Sequence, residues 1–102
     1  MYIARFSYFV APVDRKRAVD LIRQEVEAAT ARQMKAKLLV PLTRASGEAA
    51  LQFEVELAQL DQLESFRECG LGSAEKTREW IEDFSEILVC PPEVELLRVD
   101  GA

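Results

Sequence analysis

The chain contains no histidine and no asparagine. Without an imidazole, its serines lack the base of a Ser-His-Asp triad, and none sits in a nucleophile-elbow context. A zinc or non-haem iron site would have to be built from carboxylates and thiols alone, a poor ligand set for either metal. No metal or other cofactor is expected. Cysteine is nearly as scarce. Cys69 and Cys90 are the only two, placed at a predicted helix end and after a second helix, in neither redox nor metal-site spacing, so they read as reduced structural thiols. Glycine occurs four times, and Gly70-Leu71-Gly72-Ser73 carries no phosphate-binding pattern. Uncharged runs fall well short of the roughly 18 apolar residues of a membrane span. Met1 to Arg5 lacks a signal-peptide pattern, so a cytoplasmic protein off the membrane is expected.

What is present is the mixture of an ordinary globule. The 102 residues, 49% apolar and 30% charged, fit one domain over 1–102 that hides roughly two-thirds of its unfolded surface. The net charge of -5 argues against a nucleic-acid partner, because such a surface needs clustered cations and the basic residues here sit beside acids, as in Asp14-Arg15-Lys16-Arg17.

The clearest pattern is Leu51 to Leu57. Leu51, Phe53, Val55 and Leu57 alternate with Gln52, Glu54 and Glu56, which gives a strand one greasy and one acidic face. Asp61 is positioned to cap the helix that follows, with Glu64 closing a capping box. Tyr2 to Val10 reads as an earlier strand, with Tyr2, Ala4, Phe6 and Tyr8 on one side and Ile3, Arg5, Ser7 and Phe9 on the other. Pro12 stops it. Asp14 then caps a helix to about Arg32 whose stripe is Ala18, Leu21, Ile22, Val26 and Ala29. Lys35 to Thr43 is a second strand, and Pro41 within it indicates a sheet edge or bulge. Ser46-Gly47 marks the turn of a hairpin. After the glycines at 70 and 72, Ser73 caps a helix with Thr77, Trp80, Ile81, Phe84, Ile87 and Leu88 as its stripe, ended by Pro91-Pro92. Val94 to Val99 is the last strand.

The order strand, helix, strand, strand, helix pair, strand predicts an α+β, ferredoxin-like βαββαβ protomer. Its four-stranded antiparallel sheet would run fourth, first, third, second, with the helices on one face. The other face, carrying Ile3, Arg5, Ser7, Phe9, Lys35, Lys37, Leu39, Gln52, Glu54 and Glu56, is too apolar for open water and too charged for a core. That composition suits a two-fold homodimer interface.

The segments MYIARFSYFVAP, ALQFEVELAQLDQLESFREC and EWIEDFSEILVCPPEVELLRV resemble the dimeric α/β barrel superfamily, which includes antibiotic-biosynthesis-monooxygenase-like and NIPSNAP-like domains. The likeness spans nearly the whole chain and is one of pattern. It implies two protomers whose sheets face each other with helices outside, and it implies no single reaction. The superfamily's haem-degrading members use an Asn with an axial His, and its peroxidase-type members a proximal His. Neither can be carried onto this sequence. Of the Asn, Trp and His used by its cofactor-free oxygenases, only Trp80 has a possible counterpart, and its helical spacing reads first as core packing.

The candidate catalytic residues are therefore Arg5, Glu54 and Trp80. Arg5 and Glu54 or Glu56 are cross-strand neighbours, readable either as an interface ion pair or as an acid/base pair. Tyr8 and Glu56 are candidate ligand-binding residues, Tyr8 because a buried hydroxyl needs a partner and could mark a pocket with Tyr2, Phe6, Trp80 and Phe84. The functional expectation is a small homodimeric domain that binds a small, largely apolar molecule or acts as an accessory protein. The alternatives are a cofactor-free oxygenase or isomerase acting on an aromatic or quinone-like substrate, and a structural protein-interaction module.

Overall fold

The computed structural model describes residues 1–43 and 51–100. Alternation along the strands and three-to-four spacing along the helices place the elements in the order β1 (Tyr2–Tyr8), α1 (Arg15–Ala31), β2 (Ala36–Leu39), β3 (Leu51–Leu57), α2 (Asp61–Cys69), α3 (Ala74–Ile87) and β4 (Glu93–Arg98). The sheet order is β2-β3-β1-β4, every pairing antiparallel. This is the ferredoxin-like arrangement expected from the pattern.

β1 is central. Its register sets Tyr2 opposite Leu57, Arg5 opposite Glu54 and Phe6 opposite Phe53 on one side, and Ile3 opposite Leu97 and Phe6 opposite Val94 on the other. Even-numbered β1 side chains and odd-numbered β3 side chains therefore share one face. The helices cover it: Ala4, Tyr8, Phe53, Val55, Ile22, Ala29, Phe66 and Phe84 are all buried in one core. Phe53 stands at its centre, its ring 5.6 Å from Phe6 and 5.9 Å from Phe66 between centroids.

Several boundaries differ from the sequence reading. β1 stops at Tyr8, and the chain resumes pairing only at the single bridge from Val10 to Leu88. The second strand is four residues long, so Pro41 lies beyond its end, and Val40 and Leu42 on either side of it are exposed. The edge position foreseen for it holds. The Ser46-Gly47 turn lies outside the described residues. Asp14 stands at the N-cap of α1 but makes no capping hydrogen bond, because Pro12–Asp14 forms a 3-10 turn that leads into the helix.

Asp61 and Glu64 form no capping box either. Asp61 is already the first residue of α2 after a helical Leu60, and the turn is held instead by Gln62 Oε1, which accepts from the amides of Ala58 and Gln59. Ser73 does cap α3, its Oγ accepting from the Lys76 amide at 3.1 Å. α3 ends before the two prolines, since Leu88 turns extended to bridge Val10 and the Val89 amide donates to Phe9 O at 2.8 Å. β4 runs from Glu93 to Arg98, one residue earlier at each end than expected. No helix among the described residues is long and apolar enough to cross a membrane.

Candidate functional site: a cavity under the helices and an ion pair on the open face

α1 buries Ala18, Leu21, Ile22, Glu25 and Ala29. These five fall at three-to-four spacing, so a carboxylic acid occupies the stripe that faces the sheet. Opposite it β1 ends in Tyr8, 3% exposed, whose Oη donates to Glu25 Oε1 at 2.7 Å. Burial is the main cause that pushes the Glu25 carboxyl up to about 8, against a partial lowering by the Tyr8 hydrogen bond. Burial, then the charge of Glu25, pushes the Tyr8 phenol far above its ordinary value. At neutral pH the pair is thus a neutral acid beside a neutral phenol.

Aromatic packing builds the walls around this pair. Tyr8 stacks on Phe84 with centroids 4.6 Å apart, and Phe84 meets Trp80 edge-on at 5.2 Å. Trp80 Nε1 donates to the Leu21 carbonyl at 2.7 Å, which ties α3 to α1. Between the sheet and these helices lies a cavity of about 420 Å³, lined among others by Phe6, Tyr8, Glu25, Phe66, Trp80 and Phe84. Its size falls in the range of small-molecule sites. Arg67 stands at its rim, its guanidinium carbon 5.8 Å from the centre of the Phe6 ring.

Gly70 closes the corner between α2 and α3. Its φ of +51° is one that side chains rarely adopt, and a methyl group there would run into Thr77. Thr77 Oγ1 accepts from the Leu71 amide at 3.0 Å and donates to the Ser73 carbonyl at 2.8 Å, fastening the same corner.

On the open face, Arg5 Nε meets Glu54 Oε2 at 3.0 Å, with the Glu54 side chain 8% exposed. Lys37 stands opposite Glu54 from the edge strand. Glu56 lies opposite Ile3, half-buried, in a cleft of about 270 Å³ shared with Lys35, Lys37 and Glu54. Gln52 Nε2 donates to Ser7 Oγ at 3.3 Å.

The candidate residues therefore fall into two sets on opposite sides of the sheet. Arg5, Glu54 and Glu56 gather on the open face. Tyr8 and Trp80 line the cavity under the helices, so Trp80 does not share a site with Arg5 and Glu54. Of the aromatic group expected around Tyr8, Phe6, Trp80 and Phe84 line the cavity and Tyr2 does not. Glu25 is the residue that sequence reasoning passed over, by counting Val26 into the stripe. The signal was there: Glu25 is four residues from Leu21 and from Ala29, and three from Ile22. Among the described residues, no group of three or more Cys, Asp or Glu side chains is gathered closely enough to hold a metal ion.

The four-stranded antiparallel sheet with helices on one face is the fold of known ferredoxin-like α+β proteins. The chain is similar in structure to an uncharacterized NIPSNAP domain protein from Burkholderia xenovorans, with a TM-score of 0.75 at 10% identity over 99% of this chain and 96% of that one. It is similar to an antibiotic biosynthesis monooxygenase, with a TM-score of 0.66 at 14% identity over 99% of this chain and 100% of that one. A dimeric protein of unknown function and ferredoxin-like fold from Bacteroides fragilis gives 0.69 at 11% identity over 96% and 95%. At such identities the likeness is one of fold. No protein-family model matches the sequence, and no curated protein matches it.

Proposed function

We propose that the protein is a cytoplasmic homodimer, joined through the open sheet faces, that binds one small, largely apolar molecule per protomer in the cavity between sheet and helices. The observation that carries this reading is the cavity itself: about 420 Å³ walled by aromatic rings, with a single buried polar pair, Tyr8 and Glu25. Apolar walls supply affinity and a lone polar group sets orientation. The dimer is supported by the open face, where Arg5 and Glu54 sit among Ile3, Leu39 and Leu97, and by the description of a similar fold as dimeric.

Titration with the neutral, environment-sensitive fluorophore N-phenyl-1-naphthylamine tests the cavity. Saturable binding at one per protomer is expected, and Val94→Trp, which fills the rim, should abolish it. Binding that ignores this substitution, or no saturable binding, overturns the reading. Light scattering should return twice the 11.5 kDa chain mass; a monomer at micromolar concentration overturns the dimer.

A second reading, a cofactor-free oxygenase or isomerase acting on an aromatic or quinone-like molecule, is favoured by one observation. Glu25 is a buried acid held near neutral pH on the cavity wall, the setting in which a carboxyl serves as a general acid or base. It moves the reactive group from the expected Arg5 and Glu54 to Glu25, with Trp80 retained as a wall. In this reading Glu25→Gln abolishes turnover and leaves fluorophore binding in place.

A further inference from the structure

A carboxylic acid inside an apolar helix stripe is costly to bury unless both of its oxygens find use. Tyr8 uses one of them, Oε1. Among the described residues Oε2 accepts no hydrogen bond, and no sealed side-chain oxygen or nitrogen there lacks a partner, so Oε2 keeps accessible surface. The open space that Glu25 lines is the cavity. Because the Tyr8 hydroxyl donates to Oε1, the acid proton belongs on Oε2. Its donor is thereby turned toward whatever fills the cavity.

The other titratable and charged groups around it are few. Tyr8 approaches from β1 and stays a neutral phenol. Arg67 approaches from α2 at the rim, over Phe6 and exposed to solvent. The α3 wall contributes Thr77, Trp80, Phe84 and Ser85, and β4 contributes Val94, none of which carries charge. No cation sits in contact with Glu25 to turn it into a carboxylate among the described residues.

We infer that Glu25 presents a neutral carboxyl O–H to the cavity, and that the bound molecule is an apolar ring compound with a carbonyl oxygen that accepts this hydrogen bond. This rests on the ligand-binding reading above and narrows its ligand class. A carboxylate or phenolate group is disfavoured at this depth, since it would have to shed its water beside aromatic walls. When the pH rises past about 8 the donor becomes an acceptor, and it then repels the carbonyl oxygen it had held.

Three probes of nearly one shape separate the possibilities: 9-fluorenone, fluorene, which lacks the carbonyl, and fluorene-9-carboxylate. Each is measured by displacement of N-phenyl-1-naphthylamine. At pH 6.5 fluorenone should compete about tenfold better than fluorene, the factor that one net hydrogen bond provides, and the carboxylate should compete worst. Bound fluorenone should show its carbonyl stretch at lower wavenumber than in an apolar solvent. At pH 9.5 the preference over fluorene should vanish in the wild type. In Glu25→Gln, whose amide N–H₂ is a donor at every pH, it should persist at both.

Equal competition by fluorenone and fluorene at pH 6.5, or strongest competition by the carboxylate, overturns the inference while leaving the cavity as a binding site. Failure of the fluorophore and all three probes to bind removes the cavity reading itself, and the inference with it.

Discussion

The two faces of the sheet each bury one glutamate almost equally, Glu25 at 7% exposure and Glu54 at 6%, and give them opposite partners. Glu54 lies against the guanidinium of Arg5. Glu25, carried to the covered face by α1, lies against a phenol that has no charge to offer. Burial raises the Glu25 carboxyl and the Tyr8 hydrogen bond only partly offsets it; what separates the two sites is whether a cation stands beside the carboxyl. Beside a cation, a buried carboxyl is tied into an ion pair that joins two neighbouring strands. Beside a phenol and among aromatic rings, burial keeps it an acid.

The widest test of this contrast is the pH dependence of stability. The Glu25 carboxyl is held up to about 8 when folded, against an ordinary value of 4.5. The folded state therefore binds a proton that the unfolded chain has released, and stability should fall as the pH climbs from about 4.5 to about 8 and level off above. Glu25→Gln removes that slope. Urea unfolding should show the variant close to wild type at pH 5 and more stable at pH 9, by as much as about 5 kcal/mol in the limit of complete burial. Identical pH profiles would place Glu25 on the same footing as an exposed acid.

Phe84→Ala should cost about 4 kcal/mol, since it empties the ring that stacks on Tyr8 and meets Trp80, and large-to-small changes in a packed core fall in that range. A loss under about 1 kcal/mol in chemical denaturation would mean that the covered face is already loose. On the open face, Arg5→Ala leaves a buried carboxyl without its partner, at about 2 kcal/mol, and light scattering should show the proposed dimer giving way to monomer. A variant that keeps the dimer but alters ligand binding would instead bring the Arg5 and Glu54 pair into a site.

Tyr8→Phe has the smallest expected effect on stability, about 1 kcal/mol for one buried hydrogen bond. Its value lies in the sign. Because the Tyr8 hydroxyl lowers the Glu25 value, its removal should move the pH at which fluorenone preference disappears upward. A downward shift would contradict the assigned direction of that hydrogen bond.

Much of the fold was legible because the sheet advertises itself. Alternation in Tyr2 to Tyr8 and Leu51 to Leu57 sets which residues face the helices, and the Arg5 to Glu54 pairing follows from strand order and register. Termini were less legible. Pro41 and Val40 look like strand by pattern, yet β2 ends at Leu39, and Asp14 and Asp61 have the chemistry of caps without the geometry. The cavity was partly visible through Tyr8, Trp80 and Phe84. Its buried acid was not singled out, because Val26 was counted into the stripe, although Glu25 shares its side of α1 with Leu21, Ile22 and Ala29.

The glycine at position 70 has a consequence for how readily the cavity could be retuned. Gly70 and Thr77 both line the cavity, and a Cβ at Gly70 would collide with Thr77. The gap between the second and third helices is thus gauged by one missing methyl group. A larger residue at position 70 would meet both Thr77 and the strain of its positive φ, so position 77 is the lever on the bore of the cavity that touches neither Tyr8 nor Glu25.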